Sequence, residues 1–162
     1  MKLAIDCDDA GISLKQPIIE QLRALGVEVT DLNCAAQSKV DYPDIGCNLA
    51  KKISAKEFER GILICGTGLG MAMVANKVEG VFAGTCHDVY SAERLSKSNN
   101  AQVLTMGARV IGPELAKMVV AAWVKSEFEA GRSLSKVERM RELEQKELAH
   151  GEGANADVKS CC

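Results

Sequence analysis

Gly61-Ile62-Leu63-Ile64-Cys65-Gly66-Thr67-Gly68-Leu69-Gly70 is a short apolar run that ends in a cysteine and is followed by three glycines on alternate positions. The apolar run reads as a buried strand, and Met71 to Lys77 suits a helix. Strand, glycine turn and helix together bring backbone N–H groups onto an anion at a helix N-terminus. A cysteine at that mouth is placed to ionise, because the same partial positive charge stabilises a thiolate. A free thiol titrates near ~8.5, so ionising it at neutral pH costs only about 2 kcal/mol. A base beside a preformed oxyanion cradle predicts proton-transfer chemistry. The alternative is a plain buried thiol, the common state of free cysteine.

Working outward, Lys2 to Cys7 is a strand and Ser13 to Leu25 a helix with Leu14, Ile18, Ile19, Leu22 and Leu25 on one face, closed by Gly26. Val27 to Leu32 alternates as a strand, and a helix runs from about Pro43 to Ile53 with proline in its first turn. After the central strand at Ile62 to Cys65 come a strand at Val81 to Cys86, a helix at Tyr90 to Lys97 and a fifth strand at Ala101 to Met106. Pro113 opens an amphipathic helix to about Phe128, and Leu134 to Leu148 is a charged helix with few apolar positions.

Strands alternating with helices predict an α/β fold: a Rossmann-like three-layer αβα sandwich on a five-stranded parallel sheet, with a C-terminal helical extension. Residues 1–149 form one domain. The helix at 134–148 is expected to pack on a partner subunit, and 150–162 is expected to be a disordered tail. Such sheets bind ligands beyond the carboxyl ends of their strands. Those ends carry Asp8-Asp9, Cys65-Gly66, His87-Asp88 and Gly107-Arg109.

At 162 residues with 47% hydrophobic and 26% charged content, the chain is an ordinary globular domain. A net charge of −2 offers no basic field for nucleic acid, and no apolar run is long enough to span a bilayer. Without a signal peptide the chain is expected to be cytoplasmic. Seven cysteines, an odd number, read as free thiols rather than disulfides, and with no C-x-x-C and two histidines no metal site is expected. Cys161-Cys162 reads as an exposed tail rather than a lipidation signal. The predicted partners are small molecules or another copy of the chain.

Asp8-Asp9 is open to two readings: an acidic pair at a helix N-terminus, or a carboxylate that accepts hydrogen bonds from a polyol. A signalling receiver domain also begins with such a pair but needs an acceptor aspartate where Cys65 stands. A dinucleotide fingerprint needs Gly or Ala where Met71 stands, so that module is a weak match. Thr67 is close enough to bond the Cys65 sulfur. Arg109, Arg132 and Lys136 are candidate phosphate ligands, and Arg109 follows a buried strand, where a charge needs a partner.

Taken in order, Cys7-Asp8-Asp9-Ala10-Gly11 through Lys15, Asp41-Tyr42-Pro43, Ile64 to Gly70, Ala75-Asn76-Lys77, Asn99-Asn100-Ala101 and Gly107-Ala108-Arg109-Val110-Ile111-Gly112 resemble the ribose-5-phosphate isomerase B and galactose-6-phosphate isomerase family from Lys2 to about Leu148. The resemblance implies a Rossmann-like dimer or tetramer whose active sites are shared between chains. It implies interconversion of aldose and ketose phosphates through an enediolate, with no metal or cofactor. Carried over, Cys65 moves the proton, Thr67 supports it, and the Gly66, Gly68 and Gly70 loop stabilises the enediolate oxygen. Asp8, Asp9, Tyr42, Ser98 and Asn99 fall at substrate-contacting positions, and Arg109, Arg132 and Lys136 at the phosphate.

Three positions depart from the ribose isomerase pattern. Asp9 replaces a phosphate-contacting histidine, Ser98 the histidine that opens the furanose ring, and Lys136 a second arginine that would bind bidentately. Either His87 takes over ring opening, or the substrate has no ring to open. A tetrulose 4-phosphate has none, because its terminal oxygen is esterified. Ribose 5-phosphate is expected first, with a tetrulose 4-phosphate or galactose 6-phosphate as alternatives, and a non-catalytic phosphosugar sensor or dinucleotide module beyond those.

Overall fold

The structure is a computed structural model that describes residues 1–33 and 40–152. Five strands, β1 (Lys2–Cys7), β2 (Glu28–Asp31), β3 (Arg60–Cys65), β4 (Ala83–Thr85) and β5 (Val103–Gly107), form one sheet in the order β2-β1-β3-β5-β4. Every pairing is parallel. Among the described residues the α-helices are α1 (Ile12–Ala24), α2 (Tyr42–Ser54), α3 (Leu69–Ala75), α4 (Val89–Lys97), α5 (Pro113–Val124) and α6 (Leu134–Glu152). Short 3₁₀ turns at Asp9–Gly11 and Gly131–Ser133 lead into α1 and α6.

Two cores sandwich the sheet, as the alternation of side chains along a strand requires. Leu3, Ile5, Ile62, Ile64, Leu104 and Met106 face α1, α4 and α5 with Trp123. Ala4, Leu63, Cys65 and Val103 face α2 and α3. Strand order reverses between β1 and β3, which opens a crevice at their carboxyl ends. The αβα sandwich, its five parallel strands and the appended C-terminal helix are as the alternation predicts.

Element ends differ from the sequence reading for local reasons. β4 is shorter than the expected strand Val81 to Cys86 because it pairs only with β5. On its open side the Asn76 side chain accepts from Ala83 N–H at 2.8 Å and donates to Ala83 C=O at 2.9 Å, which blocks the edge. α5 stops at Val124 rather than Phe128, because Arg60 takes the Trp123 and Ser126 carbonyls at 2.7 and 2.6 Å. α3 starts two residues early, immediately after Gly68. Helix α6 continues past Leu148 and touches its own chain: the Glu144 carboxylate accepts the Gly80 N–H at 3.1 Å and Gln145 donates to Glu79 at 2.7 Å. The expected tail lies outside the described residues from 153 onward, with Cys161 and Cys162.

Candidate active site

Cys65 ends β3 on the face covered by α2 and α3, with 6% of its surface exposed. The chain then turns through Gly68, whose φ of +82° lies in the left-handed region. A Cβ there would also stand 2.9 Å from the Met106 backbone, so both conformation and space require glycine. This turn aims the Gly68 N–H at the Cys65 sulfur, 3.1 Å away. An N–H donor at that distance favours negative charge on sulfur. Thr67 does not bond the sulfur, contrary to the sequence reading: its Oγ1 accepts the Leu69 N–H at 3.4 Å, and its own side chain is exposed.

Around the sulfur lies a cleft of about 270 Å³ lined by Asp8, Tyr42, Cys65, Gly66, Thr67, Gly70 and Arg109. Gly70 admits the Tyr42 ring, since a Cβ would come within 2.5 Å of it. The Arg109 side chain runs along Gly66, where a Cβ would lie 3.5 Å from its guanidinium Nε. Arg109 is exposed and has no ion-pair partner among the described residues, so the expected buried charge is instead a cation at an open rim. Asp8 takes the first of its two sequence readings, the acidic residue at a helical N-terminus, and its position leaves room for the second. One carboxylate oxygen caps the 3₁₀ turn by accepting from Ala10 and Gly11 N–H at 3.0 and 3.2 Å, and the residue still faces the cleft. Asp9 is exposed and outside it.

His87 does not line the cleft. Its Nε2 accepts the Gly107 N–H at 2.9 Å, so the imidazole is neutral with its proton on Nδ1. Burial holds its pKa below the ordinary value, and Asp88 opposes that only in part. Cys7 and Cys86 are thiols of a different kind. Burial pushes the first up to about 12 and the second to about 11, which keeps both protonated. Among the described residues no three His, Cys, Asp or Glu side chains gather closely enough to hold a metal ion.

Ser98, Asn99, Arg132 and Lys136 gather elsewhere, in a second cavity of about 380 Å³ with Ser133, Val137 and Met140. The topology explains the separation. A crossover helix returns toward the start of the next strand, so the end of α4 lies at the sheet edge opposite Cys65. Asn99 and Asn100 fold against that helix end, and Gln102 bonds Phe82 and Gly61 where β3 to β5 begin. The second cavity therefore carries two cations, an amide and two hydroxyls with no thiol. Ser133, Val137 and Met140 were not among the site residues read from the sequence, where Val137 and Met140 count only as apolar positions of the C-terminal helix. Their spacing with Lys136 (133, 136, 137, 140) is that of one helix face, the signal that could have found them.

A sequence profile described as Ribose/Galactose Isomerase matches residues 3–140. Ribose-5-P isomerase B of Listeria innocua is 49% identical over 146 residues, 90% of this chain and 99% of that protein. D-erythrulose-4-phosphate isomerase of Pectobacterium atrosepticum is 49% identical over 148 residues, 91% and 97% of the two chains. Among solved structures, Clostridium thermocellum ribose-5-phosphate isomerase B superposes with a TM-score of 0.85 at 41% identity, covering 90% of this chain and 99% of that one.

Proposed function

We propose that this chain, which belongs to the ribose/galactose isomerase family and is an aldose–ketose isomerase of sugar phosphates, interconverts ribose 5-phosphate and ribulose 5-phosphate in a site completed by a second copy of itself. The observation that carries the reading is the Cys65 sulfur, at the wall of a small cleft and facing the Gly68 amide. The thiolate takes the proton from C2 of the open-chain aldose. The resulting cis-enediolate is reprotonated at C1 by the same sulfur, while a hydroxyl proton passes from O2 to O1. Because the Gly68 N–H serves the sulfur, the Thr67 and Gly70 amides are left for the enediolate oxygen. The remaining Asp8 oxygen and Tyr42 hold sugar hydroxyls, and Arg109 reaches the phosphate. The chemistry uses no metal or cofactor.

Ser98, Asn99, Arg132 and Lys136 enter from the partner, because within one chain they sit at the far sheet edge. Exposed apolar residues on α3, α4 and α5, among them Leu69, Met73, Tyr90 and Met118, suit a subunit contact. The rest of α6, whose Met140, Leu143 and Leu148 are exposed, then packs against a partner as well. Residues 1–149 then form a single domain that works as a dimer or tetramer. No helix among the described residues is long and apolar enough to cross a membrane. A phosphorylated substrate, which does not cross membranes unaided, suits a cytoplasmic enzyme.

A second reading is favoured by one observation. Ser98 cannot open a furanose ring at neutral pH, and the Nε2 of His87 is already engaged. D-erythrulose 4-phosphate needs no ring opening. Purified protein assayed on four-, five- and six-carbon aldose and ketose phosphates decides between them. Cys65→Ala is expected to remain folded and lose at least about a thousandfold in kcat. Solvent deuterium should enter C1 or C2 with wild type only. A Cys65→Ala variant that retains turnover removes the thiol from the chemistry.

A further inference from the structure

Beneath the glycine turn lie two hydroxyls to which the mechanism assigns no part. Thr85 of β4 and Thr105 of β5 are register partners, and their Oγ1 atoms are 2.8 Å apart. Thr105 is completely buried and Thr85 half-buried. Thr85 Oγ1 donates to the Gly68 carbonyl at 3.3 Å. Each hydroxyl has a single proton, so Thr105 must give its own to Thr85 while Thr85 gives its own to Gly68. The chain of donors therefore has one direction, from the sheet interior to the turn.

Gly68 has no side chain with which to hold its orientation, and its φ is one that a flexible glycine can leave. Three contacts set it. Its carbonyl accepts from Thr85 and, as the first bond of α3, from Ala72 N–H at 3.1 Å. Its Cα backs directly onto the Met106 backbone, with no room for a Cβ. Its N–H then meets the Cys65 sulfur. We infer that Thr85, backed by Thr105, is a positioning residue for proton transfer: it keeps Gly68 turned so that the amide faces the sulfur. The inference rests on the reading of Cys65 as the base. Packing alone would be met by valine at both positions, since valine has the same shape; what the hydroxyls add is direction.

The test compares Thr85→Val, Thr85→Ser and the double variant Thr85→Val/Thr105→Val. Two readouts are taken: kcat and KM on whichever of ribose 5-phosphate and erythrulose 4-phosphate the wild type turns over, and the rate at which iodoacetamide labels Cys65, followed by peptide mass spectrometry. Thr85→Val should lower kcat about tenfold with KM within about twofold, and slow Cys65 labelling severalfold. It should also lose stability, because it leaves the buried Thr105 hydroxyl without a partner. The double variant removes both partners, so it should regain stability and yet keep the loss in kcat. Thr85→Ser should return kcat to within about twofold of wild type. A double variant with wild-type kcat and labelling overturns the proposal, as does a Thr85→Ser variant as slow as Thr85→Val. Failure of the base reading shows separately, as Cys65→Ala retaining turnover while labelling in the Thr85 variants still slows.

Discussion

Low exposure alone does not distinguish Cys65 from Cys7 and Cys86, for all three are buried. What differs is the surroundings of the sulfur. Desolvation dominates at Cys7, where Lys15 offsets it only in part, and at Cys86, whereas Cys65 faces an amide and opens onto a cleft. His87 shows the same logic for a base. Its ring accepts a backbone N–H, so protonating Nε2 would set two donors against each other and release Gly107, two residues before Arg109. Burial, with that bond beside it, makes the native imidazole bind a proton less readily than the unfolded one. With the folded value depressed, the stability it contributes is fully present above the unfolded value, near ~6.5, and is lost as pH falls toward the native value. Thermal melts of wild type and His87→Gln between about pH 7.5 and pH 5 should show a shallower acid loss in the variant, whose amide oxygen can still accept from Gly107. Equal acid losses would remove His87 from the account.

Between elements, Arg60 does for the strand-start edge what Gly68 does for the opposite one. From the first position of β3 its guanidinium donates to the Trp123 and Ser126 carbonyls and to Ser96 Oγ at 2.9 Å, and stacks 5.1 Å from the Trp123 ring. Ser96 in turn donates to Ser126 C=O at 2.7 Å. The ends of α4 and α5 are thus tied to the sheet beside the segments that carry Ser98, Asn99 and Arg132. Hydrogen bonds from a charged donor contribute about 1.5–3 kcal/mol each in favourable cases, and carbonyls left unpaired add to the cost of removing one. Arg60→Met is expected to lower stability by about 2–4 kcal/mol, read from urea midpoints at constant slope. A loss under about 0.5 kcal/mol would make the cluster ornamental. None of this clamp was legible beforehand. Arg60 looks like an ordinary polar residue ahead of an apolar run, and its partners lie 36 to 66 positions away.

Across the whole molecule, the polar side chains divide between two separate cavities. One holds the thiol, amides and Arg109; the other holds Ser98, Asn99, Arg132 and Lys136 at the opposite sheet edge. A site shared between chains predicts complementation. Cys65→Ala and Arg132→Ala should each be inactive as homodimers. Subunit exchange in an equal mixture should restore about a quarter of wild-type activity, because half the dimers are mixed and each of these keeps one intact site. A mixture that stays inactive, with exchange shown by mass spectrometry, would confine each site to one chain. Alternating apolar segments and the glycine turn were enough to determine the parallel sheet, its two cores and the edge bearing Cys65, since strand parity and helix periodicity are local properties that survive into any packed form. The partner of the sulfur, the burial of Cys7 and Cys86, the engagement of His87 and the separation of Arg132 from Arg109 came only with the tertiary structure. Each of those depends on which distant backbone groups the strand order brings within about 3 Å, a distance at which hydrogen bonds form and which no spacing along the chain records.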